Sequence, residues 1–209
     1  MFRSYGRARR WGPALVISLL ISGCSTGGVN TLVMDRSGRV RVSVERVAGQ
    51  KDGAFTLYDA NGGVRCKGWY ENDHREHWWH RYHDNGAIAS LQHYVDGRKD
   101  GIQSYWSAAG RLLRTERFTA GEPDGPLIKF FPDGSPELWS RFRHGVQEGP
   151  HYHWFREDDK PSSFLMGSFV DGLSDGHWIE QRADGHINWE SVMDHGRTVR
   201  KTVNGKRVR

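Results

Sequence analysis

Glycine returns at a fixed interval of 24 residues through most of this chain, and that period constrains the fold more than any single residue does. Gly53, Gly101, Gly125 and Gly149 stand in register, and the one missing step, position 77, holds a histidine. A second glycine follows nine residues on, at Gly62, Gly86, Gly110 and Gly134. A third follows twenty residues on, at Gly97, Gly121 and Gly145. A period of this length marks an array of one small supersecondary unit whose copies bury one another by stacking. Such arrays present extended surfaces, which favours binding over catalysis in an enclosed pocket.

Each unit reads as a β-hairpin. From Gly101, Ile102–Trp106 is a short extended run, Ser107-Ala108-Ala109-Gly110 a turn, and Arg111–Phe118 a second run. Thr119–Asp124 then turns the chain into the next unit. Asn61-Gly62, Asn85-Gly86, Asp133-Gly134 and Asp184-Gly185 supply the positive φ angles that tight hairpin turns need. No helical periodicity is found after the first residues. Counting back from Gly53 starts a unit at Val29; counting forward from Gly149 starts one at Gly176, three residues late. The delay falls within Glu157–Ser163, where the hairpin glycine is missing, and Glu157, Asp158 and Asp159 are expected to project there, either as a contact site or as an insertion that is merely tolerated. The expected fold is all-β: an elongated open meander or solenoid of about seven stacked hairpins over residues 29–199, with a basic cap or tail at 200–209. At roughly 4.8 Å per strand it spans about 65–70 Å.

Three side-chain columns should stack between hairpins. Tyr58, Tyr82, Trp106, Phe130 and Trp154 form one. Tyr70, Tyr94, Phe118, Phe142, Phe169 and Met193 form the second, and Val64, Ile88, Leu112 and Ile187 the third. Aromatic residues (nine Trp, nine Phe and seven Tyr) would carry a core that is short of Leu and Ile.

The first residues read as an address. Arg3, Arg7, Arg9 and Arg10 precede an apolar run from Ala14 to Ile21, too short to span a bilayer comfortably. Ile21-Ser22-Gly23-Cys24 resembles the bacterial lipobox. That resemblance implies a signal peptide over residues 1–23, cleavage before Cys24, a diacylglyceryl thioether on its sulfur and an acylated amino terminus. The competing reading is an ordinary secretory signal with a chance cysteine. Ser25, in place of an aspartate that would favour retention at the inner membrane, implies the periplasmic face of the outer membrane. Residues 24–28 would hold the lipidated cysteine and a tether, whose four residues Ser25–Gly28 reach at most about 14 Å. The formal charge of +5 falls to near +1 once the four signal arginines leave, so basicity gives no argument for nucleic acid. With Cys24 acylated, Cys66 has no partner for an intramolecular disulfide.

The spacing Asp-Gly, aromatic, Asn-Gly, aromatic, Gly-x-x-Asp-Gly resembles the variant MORN repeat of bacterial proteins. It is clearest over Asp100–Gly125 and Asp124–Gly149, covers roughly residues 29–196, and departs at Asp73, His77 and the 157–163 insertion. The resemblance implies a scaffold that contacts protein or lipid, often of an antitoxin-like kind.

Catalytic signatures are missing from the sequence: it has no phosphate loop, Cys-x-x-Cys, Gly-x-Ser-x-Gly or His-Glu-x-x-His. His74, His77, His80 and His83 fall three residues apart, a spacing that would gather them on a helix. Strand register disperses them, so no metal site and no cofactor is expected. One stripe stands out beside the core columns: Trp79, Arg81, His83, Tyr105, Lys129, His151, His153 and Trp178. Aromatics and arginine supply interface hot spots, so this stripe is the candidate partner-binding face; the competing reading is a second packed face. The expected function is a non-catalytic, membrane-tethered protein-interaction module of the periplasm, in its sharpest form an immunity lipoprotein that binds and blocks a toxin. A structural envelope scaffold contacting lipid or peptidoglycan is the alternative, and an enzyme a remote one.

Overall fold

A computed structural model describes residues 15–19 and 28–208. Cys24, the rest of the tether up to Gly27 and most of the signal segment lie outside the described residues. Eighteen strands form a single antiparallel sheet: β1 (Leu15–Leu19), β2 (Val29–Met34), β3 (Val40–Val47), β4 (Gln50–Tyr58), β5 (Val64–Glu71), β6 (His74–Tyr82), β7 (Ile88–Val95), β8 (Arg98–Lys99), β9 (Gly101–Trp106), β10 (Leu112–Thr119), β11 (Glu122–Phe130), β12 (Pro136–Arg143), β13 (Val146–Glu157), β14 (Lys160–Val170), β15 (Leu173–Arg182), β16 (Ile187–Asp194), β17 (Arg197–Val203) and β18 (Lys206–Val208). Strands pair in sequence order, with β7 pairing both β8 and β9. The product is an open meander of hairpins. The basic terminus is part of it: β17 and β18 make a last hairpin on β16.

Two turn chemistries alternate, and glycine serves them differently. Within a unit, three-residue loops end on a left-handed glycine; in one, Asp59 N–H donates to Gly63 O (2.8 Å) and Gly62 N–H to Asp59 O (3.3 Å). Between units, two consecutive residues have positive φ, as at Ala120 (50°) and Gly121 (94°), closing Thr119 against Glu122. The turn expected over Thr119–Asp124 is therefore only two residues long. The glycine that starts a unit lies inside a strand, at a bulge, except Gly101, which opens β9. Arg117 alone faces Asp124, Gly125 and Pro126, and Glu45 alone faces Asp52, Gly53 and Ala54. His77 occupies the same bulge position with φ 59°, in the glycine conformation without the glycine.

The bulge and the next turn lean on each other. Gly97 N–H donates to Arg75 O (3.0 Å), Gly121 N–H to Lys99 O (2.8 Å) and Gly145 N–H to Pro123 O (2.8 Å). In several units the acid preceding the bulge residue also accepts from the turn's first amide: Asp100 Oδ2 from Ala120 (3.1 Å), Glu148 Oε2 from Asp171 (3.0 Å), and Glu76 Oε1 from Asp96. The Asp-Gly step of the repeat is thus a clamp between consecutive hairpins.

The 157–163 insertion makes no projecting loop. It lengthens β13 and β14 to twelve and eleven residues, and Asp158-Asp159 (φ 50° and 59°) close them with a two-residue turn. The expected core column is buried at Tyr70, Tyr94 and Phe118 and half-buried at Phe142, Phe169 and Met193. The one expected at Val64, Ile88 and Ile187 is exposed. These residues are the first strand positions after the three-residue loops, where the hairpin ends and no neighbour covers them.

Candidate binding face

Every bulge sets the residue two positions after the unit start over the same face of the sheet. Phe55 pairs with Gly68, Trp79 with Gln92, Gln103 with Glu116, Leu127 with Ser140, His151 with Gly167 and Trp178 with Ser191. These pairs form a seam down the length of the molecule. Toward one end it is aromatic: Trp79 packs on Tyr70 (ring centroids 5.0 Å apart), Phe55 (5.4 Å) and Tyr94 (6.3 Å). The Arg75 guanidinium caps this cluster, 4.6 Å from the Trp79 ring. In the middle the seam is polar, with Gln103 fully buried and Glu116 and Ser140 nearly so.

Trp79 and Trp178 belong to this packing. They are 2% and 7% exposed, which leaves their indoles almost no surface to offer a partner. Each lies over a glycine, Gly68 and Gly167, whose missing side chain makes the room. His151 is also internal, 5.5 Å from Phe169 and 5.8 Å from Trp178 between ring centroids, and its Nδ1 lies 3.2 Å from Gln147 Nε2. Burial, with the nearby charge of His153, lowers its pKa. His153 stacks on Phe155 (4.1 Å), and burial lowers its pKa too. His83 is held by its Nε2, 2.8 Å from Trp106 O. Glu157, Asp158 and Asp159 are exposed at the tip of the long β13–β14 hairpin.

Arg81, Tyr105 and Lys129 remain, and the structure brings them into one row. Arg81 faces Ser90, Ser90 faces Tyr105, Tyr105 faces Arg114 and Arg114 faces Lys129, on successive strands. At roughly 4.8 Å per strand the row is about 19 Å long. Ser90 and Arg114 were missed by sequence reasoning; only the register between hairpins, bulges included, identifies them. Arg114 lies 5.4 Å from the Tyr105 ring centroid and pairs with Glu116. Gln92 Nε2–H donates to the Tyr105 hydroxyl (3.0 Å), leaving the Tyr105 proton free.

The row borders a cavity of about 590 Å³, to which Arg81, Ser90, Gln92 and Tyr105 contribute alongside Arg65 and His83. A second, of about 840 Å³, adjoins it through Arg65, Arg81, Tyr82, Asp84 and Gln92 and extends over Phe55, Tyr70 and Trp79. Together they make a continuous groove, cationic and phenolic on one side and aromatic on the other.

Among the described residues, Asp175, Asp194 and His195 form the one group of three whose ligand atoms lie within 4.8 Å of one another, and none of the 74–83 histidines belongs to it. His77 instead sits 3.3 Å from Glu71, at the surface. The chain matches no protein-family model and no curated protein sequence.

Proposed function

We propose that this protein is a non-catalytic binding module of the bacterial cell envelope, built from variant MORN repeats and tethered through an acylated Cys24. In its sharpest form it is an immunity lipoprotein that binds a toxin and blocks it sterically. The observation that carries the reading is the groove of two adjoining cavities on one face of a hairpin array. Its walls are strands clamped at every bulge, so little ordering remains to be done on binding. Arginine and tyrosine, residue types that supply interface hot spots, line it. Cleavage before Cys24 would remove β1 and leave β2 as the outer edge, close to the membrane.

The test is capture of partners from envelope extracts by the acylated protein, with toxin challenge of cells that carry or lack it. Retention of a protein partner together with protection supports the immunity reading. Absence of both overturns it. The scaffold reading draws on a different observation: Trp69, Trp78 and Ile102 are 40%, 45% and 53% exposed on the opposite face. Cosedimentation with liposomes or purified sacculi, lost on changing these three and not on changing the groove, would favour it.

A further inference from the structure

We infer that the cavity over Ser90 is a carboxylate-binding pocket, and that the groove takes an acidic, extended segment of a protein partner with an apolar residue beside the acid. This rests on the protein-binding reading above and specifies the chemistry of its ligand.

The polar groups of the cavity have an excess of donors. Ser90 is only 4% exposed, it lines the cavity, and its hydroxyl has no hydrogen-bond partner. Buried polar atoms are ordinarily satisfied, so an unpartnered one in a cavity wall points to a ligand. Tyr105 faces Ser90 on the next strand and lines the same cavity, and because its phenol oxygen accepts from Gln92 its proton remains to be donated. Among the described residues Arg81 makes no ion pair, although it stands directly across the strand from Ser90. Arg65 is engaged by Asp84 at the rim. A guanidinium, a hydroxyl and a phenol on adjacent strands offer parallel donors to two oxygens on one carbon.

Two features favour a protein carboxylate over a membrane phosphate. Asp59 and Asp84, at the edges of the adjoining cavities, would repel a uniformly anionic surface but leave room for one inserted acid. The row beyond the cavity, through Arg114 to Lys129, continues in a line, which suits acids spaced along an extended chain. The accessible part of the second cavity's wall, Phe55, Leu57 and Tyr58, then takes the neighbouring apolar side chain.

The experiment uses the full acylated protein in detergent and fluorescence anisotropy of a labelled peptide alternating glutamate with leucine and serine. The expected result is saturable binding that is lost in the glutamine counterpart of the peptide and weakened at least about tenfold by Arg81→Gln. Ser90→Ala should weaken it less, and an unchanged circular dichroism melt keeps either loss from being one of folding. Equal binding of the two peptides, no binding of either, or an unchanged affinity in Arg81→Gln overturns the inference. So does Arg81-dependent binding confined to phosphatidylglycerol vesicles or inorganic phosphate. Partner capture by the unaltered protein is run in parallel. If capture succeeds while the peptide fails, the carboxylate pocket is wrong and the binding module stands.

Discussion

The Trp79 indole lies over the backbone of Gly68, on the neighbouring strand, so that a Cβ at position 68 would come within 2.3 Å of a ring carbon. The same relationship recurs four units along, between Trp178 and Gly167. Large side chains at one repeat position are matched by an absent side chain at another, and that complementarity fixes how closely the hairpins approach. Gly68→Ala should cost about 1–3 kcal/mol by overpacking, and Trp79→Ala about 3–5 kcal/mol by opening a cavity. The two together should cost less than their sum, because the methyl then has space. Urea denaturation of the three variants measures the coupling.

His77 adopts φ 59° at a bulge where the neighbouring units carry glycine. Its imidazole is mostly exposed and reaches only Glu71. His77→Gly should therefore relieve backbone strain and stabilise the protein by about 1 kcal/mol. Asp73, with φ 67°, departs from the repeat in the same way, but its Oδ1 accepts a hydrogen bond from Lys51 N–H (2.9 Å). Asp73→Gly should gain less, or nothing, because it relieves strain and loses that bond. Comparing the two melting temperatures separates the effects.

The period made much of this architecture legible in the chain itself. Glycines at fixed offsets fall at the turns, and the aromatic column through Tyr70, Tyr94 and Phe118 is buried as its recurrence implied. What the period hid was the bulge. Gly125 reads in the sequence as the start of a unit just after a turn, and only pairing shows three residues of β11 facing Arg117. The equivalent bulge opposite Gly68 places Trp79, and the irregular pairing of β7 around Gly101 sets Ser90 opposite Tyr105, so the groove depends on register that no single repeat spells out. Buried polar residues such as Gln103 and Ser140 were equally invisible, because they break the apolar pattern at a position the pattern itself buries.

Acid should weaken the fold through its internal histidines. Burial lowers the pKa of His151, aided by the charge of His153. Burial and the charge of Lys67 lower that of His80, and burial also lowers that of His153. An unfolded histidine titrates near 6.5, so below that pH the unfolded chain binds more protons than the folded one. The stability tied to these three groups is complete above about pH 6.5 and is lost as pH falls through their lower folded values. His195 works in the opposite sense: Asp194 raises its pKa, but it is fully exposed and solvent screens the effect. Thermal melts should show the midpoint dropping between about pH 7 and pH 5. His151→Gln should flatten that drop, and an unaltered slope in this variant would remove His151 from the account.

The carboxylates that clamp turn to bulge differ in burial, and that difference should decide what each contributes. Glu76 is buried (8% exposed) and accepts from the Asp96 amide, whereas Asp100 makes the equivalent bond to the Ala120 amide (3.1 Å) in an exposed setting. Water can replace Asp100 but not Glu76. Asp100→Ala should cost about 0.5–1.5 kcal/mol, the net value of an ordinary hydrogen bond, and Glu76→Ala about 1–3 kcal/mol, because the bond it removes is part-buried and charge-assisted. Glu76→Gln retains an acceptor oxygen and should recover part of the loss. Hydrogen exchange at the Asp96 and Ala120 amides reads the clamp directly: each should speed up in the variant that removes its own acceptor and remain slow in the other. If both amides speed up together in either variant, the hairpins open as one unit and the clamps are not independent.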